Sequence, residues 1–204
     1  MRYRTYRSGR FRPPLALTGK SGSGKTTLLN CLGGLEKPDQ GRITLFDHDI
    51  TAIGNNKLSR LQRREMGFLF QAGNLLSFLN AYENIALPLR LNNITGTRQK
   101  KRIQFLLDYI GLSSMGKAMP NELSGGEQQR IAFARAIVHS PRLLLADEPA
   151  ASLDTETGKT LISLMFTLAE THGILLVIST HDPEIIQMSP KAIVLRNGRM
   201  HERR

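Results

Sequence analysis

Residues Gly19-Lys20-Ser21-Gly22-Ser23-Gly24-Lys25-Thr26 match the pattern G-x-x-x-x-G-K-[ST] at every fixed position. Few eight-residue stretches dictate so much of their surroundings. Glycine at 19, 22 and 24 lets the backbone curl and approach a polyanion without a Cβ clash. The dipole of the following helix points to the same place, which suits phosphate. Lys25 adds a positive charge for β- and γ-phosphates, and the Thr26 hydroxyl can ligate Mg²⁺. Such a loop needs a strand to deliver it and a helix to follow it. Leu15-Ala16-Leu17 reads as that strand and residues 25–32 as that helix, stopped by Gly33-Gly34. The chain is therefore expected to be an α/β protein that takes a nucleoside triphosphate.

The remaining pattern fits. Leu143-Leu144-Leu145-Ala146 and Ile174-Leu175-Leu176-Val177-Ile178 are continuous apolar runs, as expected for parallel strands covered on both faces. Between them residues 155–170 read as a helix with Leu161, Leu164, Met165 and Leu168 inward. Residues 41–47 alternate like a strand, with Ile43 and Leu45 on one face, and residues 57–64 form a polar helical stretch. A strand over 67–70 ends at Gln71. Residues 72–123 change character and read as an inserted helical subdomain, with Ile103, Leu106, Leu107 and Ile110 at helical spacing. Residues 192–200 suggest a strand with a tight reversal at Asn197-Gly198. One domain over 1–204 results: a core from 15–71 and 124–204, the 72–123 insertion, and an atypical basic segment, 1–14.

Composition excludes several classes. Hydrophobic content of 40% and charged content of 22% are ordinary globular values and argue against bulk disorder. The single cysteine, Cys31, rules out an internal disulfide framework and fits a reducing compartment. No apolar run approaches the roughly 18 residues that cross a bilayer, so any membrane role needs a separate spanning subunit. Net charge is +11, with Arg2, Arg4, Arg7, Arg10 and Arg12 near the start and no acid before Glu36. Such a block attracts nucleic acid or anionic lipid, but a solvated tail is the favoured reading.

Two further stretches carry chemistry. Leu143 to Pro149 is a buried strand delivering two carboxylates, Asp147 and Glu148, at its end. Leu123-Ser124-Gly125-Gly126-Glu127-Gln128-Gln129-Arg130 precedes a helix over 127–138, and its glycines bare backbone N–H groups at the helix's positive end. With the phosphate loop, these segments resemble the nucleotide-binding domain of ATP-binding-cassette (ABC) ATPases, from about Leu15 to the C-terminus. The resemblance implies a P-loop NTPase core with a mostly parallel sheet and an inserted α-helical subdomain.

It also implies roles. Gly19, Lys20, Ser21, Gly22, Ser23, Gly24, Lys25, Thr26 and Thr27 would hold ATP, with Thr26, Gln71 and Asp147 around Mg²⁺. Glu148 would be the general base, His181 the switch histidine near the γ-phosphate, and Gln71 the residue sensing Mg²⁺ and γ-phosphate. Ser124, Gly125 and Gly126 would face ATP held by a second copy of the chain, with Asp154 in the loop Ala151-Ser152-Leu153-Asp154; a serine or threonine is common where Ala150-Ala151 stands. The implied assembly is a head-to-tail homodimer on the cytoplasmic face of the inner membrane, peripheral, docked to a transmembrane permease and without nucleic acid. The permease would seat a coupling helix in the groove beside residues 72–82. Leu143 to Pro149, the segment 180–184 and Glu83-Asn84-Ile85-Ala86-Leu87-Pro88-Leu89 are most similar to the lipoprotein-release, macrolide-export and antimicrobial-peptide-export group.

The likeness departs at the start. Only 14 residues precede Leu15, so the family's N-terminal antiparallel β-region is expected to be shortened. Neither Tyr3 nor Tyr6 is assigned to stack on adenine. The alternative, a soluble ABC-type ATPase acting on nucleic acid or ribosomes, suits the charge, but such members carry paired cassettes or long coiled coil, and no sustained heptads separate Lys25 from Ser124. A nucleotide kinase would lack the 123–130 stretch and the Asp147-Glu148 pair.

Overall fold

Strands that carry consecutive apolar residues on both faces cannot leave either face in water, and here they form the middle of one parallel sheet. The computed structural model describes residues 13–202; the arginines of the basic segment, Tyr3 and Tyr6 lie outside the described residues. In chain order the elements are β1 (Leu15–Thr18), α1 (Lys25–Gly33), β2 (Thr44–Leu45), β3 (His48–Asp49), α2 (Asn55–Glu65), β4 (Met66–Leu69), α3 (Ala81–Leu91) and α4 (Gly96–Tyr109). After a 3₁₀ turn over Pro120–Glu122 come α5 (Gly125–Ile137), β5 (Leu143–Asp147), α6 (Thr155–His172), β6 (Leu175–Thr180), α7 (Pro183–Met188), β7 (Lys191–Arg196) and β8 (Arg199–Glu202).

The main sheet runs β4-β5-β6-β1-β7-β8, parallel throughout except for the last pair. Alternation along each strand splits its side chains between two cores. Leu143 and Leu145 of β5, Val177 of β6 and Leu17 of β1 pack with Leu29 of α1 on one face. Leu144, Ala146, Leu176, Ile178 and Ala16 belong to the larger core on the other, with α3, α4, α5 and α6. Gly67 of β4 shows how closely α5 lies on the sheet: a Cβ there would collide with the Ala136 carbonyl oxygen. The reversal between β7 and β8 sits at Asn197 (φ 49°) and Gly198 (φ 73°), the left-handed pair that a two-residue hairpin turn requires.

Two expectations change in detail. The strand expected over 41–47 is a short antiparallel hairpin, β2–β3, because Phe46 (φ 51°) and Asp47 (φ 66°) take left-handed conformations and turn the chain. Its alternation still serves burial, since Ile43, Leu45 and Phe46 pack on Ile50, Leu61 and Met66. Residues 72–80 are not helical. There the buried side chain of Asn84 stands in for helical bonding: it accepts from the Leu76 N–H at 2.9 Å and donates to the carbonyls of Leu76 and Leu79 at 3.2 and 2.9 Å. The first regular helix after that loop, α3, is capped by Asn80, which forms a reciprocal capping box with Glu83.

Candidate nucleotide site

The C-terminal ends of β1, β5 and β6, and the loop after β4, converge on one open cleft, the usual ligand position in parallel α/β sheets. Lys20, Ser21, Gly22, Gly24, Lys25, Thr26, Thr27, Gln71, Glu148 and His181 line it. Gly24 caps α1 at φ 96° and supplies no side-chain bond to the helix's first N–H groups, which keeps them available to an anion. Ser23 and Gly19 belong to the loop but do not line the cleft. Ser23 Oγ is buried without a partner, and a side chain at Gly19 would run into the Leu195 carbonyl.

Lys25 is only 7% exposed. Its Nζ donates to the Gly19 carbonyl at 2.9 Å and the Lys20 carbonyl at 3.4 Å, and lies 3.5 Å from Glu148 Oε1. The other Glu148 oxygen, Oε2, is 2.8 Å from His181 Nδ1. Glu148 therefore sits between a fixed cation and an imidazole at the cleft, the setting a water-polarising carboxylate needs. Its backbone is left-handed (φ 45°), a conformation uncommon for glutamate. The Glu148 N–H donates to both the carbonyl and the hydroxyl of Ser179, each at 3.1 Å, which holds that turn.

The oxygen donors for a metal are adjacent. Thr26 Oγ1 donates to Asp147 Oδ2 at 2.9 Å, and Ser179 Oγ donates to Asp147 Oδ1. Among the described residues there is no group of three His, Cys, Asp or Glu that could chelate a metal unaided. Thr26, Asp147 and Gln71 instead suit Mg²⁺, which keeps waters and takes phosphate oxygens beside one or two protein ligands.

Ser124, Gly125, Gly126 and Asp154 do not line this cleft. Ser124 caps α5, accepting from the Glu127 N–H at 3.3 Å while Glu127 Oε2 takes the Ser124 N–H and Oγ–H, each at 2.8 Å. The Ser124 backbone and side-chain bonds hold the Glu127 carboxyl below its ordinary range. Asp154 caps α6 by accepting from the Thr157 N–H at 3.0 Å, which lowers its pKa in the same way. Sequence reasoning missed Ser179, whose only signal was its place after an apolar run. It also missed the amides of Gln128 and Gln129, although Gln129 is a polar residue on an otherwise apolar helix face.

A family model described as ABC transporter matches residues 13–151. The chain belongs to the ABC transporter ATP-binding family. This cassette is 39% identical to the uncharacterized ABC transporter ATP-binding protein YknY of Bacillus subtilis over 90% of its own length and 80% of that protein. It is 40% identical to the lipoprotein-releasing system ATP-binding protein LolD of Bdellovibrio bacteriovorus, over 90% and 83%. The dimeric ATP-binding cassette MJ0796, solved bound to ADP and Pi, superposes with a TM-score of 0.86 at 34% identity, covering 96% of this chain and 87% of that one. The cassette thus has the ABC ATPase fold of a P-loop core with a helical insertion, and is an ATP-binding, ATP-hydrolysing subunit of a membrane transporter. No helix of the described residues is long and apolar enough to cross a membrane.

Proposed function

We propose that two copies of this cassette close head to tail over two ATP molecules on the cytoplasmic face of the inner membrane and drive a separate permease of the lipoprotein-release or export type. The observation that carries this reading is the division of its motifs: Lys25, Thr26, Gln71, Glu148 and His181 line one cleft, with Asp147 bonded to Thr26 beside it, while Ser124, Gly125 and Gly126 stand apart from it at the N-terminus of α5. A site built from both needs a second chain. LolD, matched over 83% of its length, supports the subgroup.

Bound Mg²⁺ would neutralise developing phosphate charge, held through Thr26, Gln71 and Asp147. Lys25 is preset by the Gly19 and Lys20 carbonyls, so a γ-phosphate competes with Glu148 for its ammonium and releases one Glu148 oxygen to a water. His181, hydrogen-bonded to the second oxygen, fixes the rotation of that carboxylate. Asp154, near the end of its loop, and Ser124 with the Gly125 and Gly126 amides would complete the partner's half. Glu148→Gln tests the arrangement: it should abolish steady-state phosphate release while ATP stays bound. Hydrolysis at the parent rate would show that Glu148 is not the base.

A further inference from the structure

Gln129 stands on the inward face of α5 and is 2% exposed, one turn before the fully buried Phe133. A primary amide so placed destabilises the fold unless its groups are bonded. Its Nε2 donates to the Phe70 carbonyl at 2.9 Å and to the Pro149 carbonyl at 2.9 Å. Phe70 immediately precedes Gln71, and Pro149 immediately follows Glu148. One side chain therefore joins two loops that are 20 and 59 residues from it along the chain. The helix that carries it is capped by Ser124. Arg135, further along the same helix, donates to the Gly73 carbonyl at 2.7 Å and the Asn74 carbonyl at 2.9 Å, so α5 grips the first loop twice.

We infer that Gln129 is a positioning residue that ties the loop bearing Gln71 and the loop bearing Glu148 to the helix presenting Ser124, so that movement at one nucleotide face is carried to the other. This rests on the roles proposed above for Gln71, Glu148 and Ser124. Both amide hydrogens are committed, and losing the donor removes the Pro149 carbonyl's partner in a buried setting and leaves the Phe70 carbonyl with the Gly73 N–H at 3.0 Å. The brace has little slack: a Cβ on Gly73 (φ 68°) would stand 2.8 Å from Gln129 Oε1 and 3.4 Å from the Ala132 Cβ. A glutamine that only satisfied two carbonyls would affect melting temperature; a positioning residue separates turnover from binding.

The test compares the full-length chain with Gln129→Met, Gln71→Ala and the double variant, reading ATPase kcat, affinity for a fluorescent ATP analogue, and melting temperature. Gln129→Met should keep nucleotide affinity within about twofold of the parent and lower kcat about 10- to 100-fold. The double variant should be no slower than Gln71→Ala alone. A Gln129→Met protein that melts earlier but turns over normally overturns the inference, as do independent, multiplying losses in the double variant. Should Gln129→Met not fold, Gly73→Ala, which displaces the same amide from the loop side, must show the same split of kcat from affinity or the inference fails. Normal turnover by Gln71→Ala removes the role given to Gln71; the split in Gln129→Met still judges the hold on the Glu148 loop.

Discussion

Lys25 and Ser179 do opposite jobs at the site. In the proposed site Lys25 would bring charge to the ligand; its ammonium is already aimed by two loop carbonyls, so little ordering would remain on phosphate binding. Lys25→Ala should weaken binding of a fluorescent ATP analogue by about 10- to 100-fold, the range of a charge-assisted hydrogen bond, and fluorescence titration reads it directly. Ser179 does not line the cleft; its hydroxyl orients Asp147 and receives the Glu148 N–H. Ser179→Ala should therefore raise the Mg²⁺ concentration needed for half-maximal turnover and lower kcat/KM by about 10-fold, with the chain still folded. An unchanged Mg²⁺ dependence would mean that Asp147 is held well enough by Thr26 alone.

At the scale of elements, α5 and the connection to β5 carry a pH-sensitive contact. His139 lies just beyond α5, where its Nε2–H donates to the Met66 carbonyl at 2.9 Å and leaves Nδ1 buried without a partner. Burial, opposed by the Met66 bond and aided by nearby Arg102, pushes its pKa down to about 4. The unfolded chain, with histidine near 6.5, then binds more protons than the folded one between pH 6.5 and 4. Stability is fully present above pH 6.5 and falls as pH drops through that window, by up to about 3 kcal/mol. His172, also lowered by burial, acts in the same direction. Urea midpoints measured from pH 7.5 to 4 should show this loss in the parent and a smaller one in His139→Leu.

The helices and inner strands were legible because their periods are unambiguous; β5 is apolar from Leu143 to Ala146 and β6 from Leu175 to Ile178, and α6 ends at Gly173 in a left-handed cap. The β2–β3 hairpin was not, since Phe46 and Asp47 carry no glycine signal for their left-handed backbone. Within the site, Lys25, Thr26, Asp147 and Glu148 could be read from motif spacing. Ser179 and Gln129 could not, because their partners lie 20 to 59 residues away and only the sheet register and the packing of α5 bring them close.

At the scale of the whole molecule, the site opens at the carboxyl ends of the strands, while Ser124, Gly125 and Gly126 at the N-terminus of α5 lie outside that cleft and, in the proposed dimer, would face the partner's ATP. Ligand held between two such faces stabilises the pair by mass action, so the dimer should depend on ATP and dissolve on hydrolysis. Sedimentation velocity on Glu148→Gln with ATP, with and without Ser124→Arg, tests this most directly. The account predicts an ATP-dependent dimer for Glu148→Gln and a monomer for the double variant, whose affinity for a fluorescent ATP analogue as a single chain is unchanged. A dimer that persists with arginine at 124, or a monomer in every condition, would contradict it.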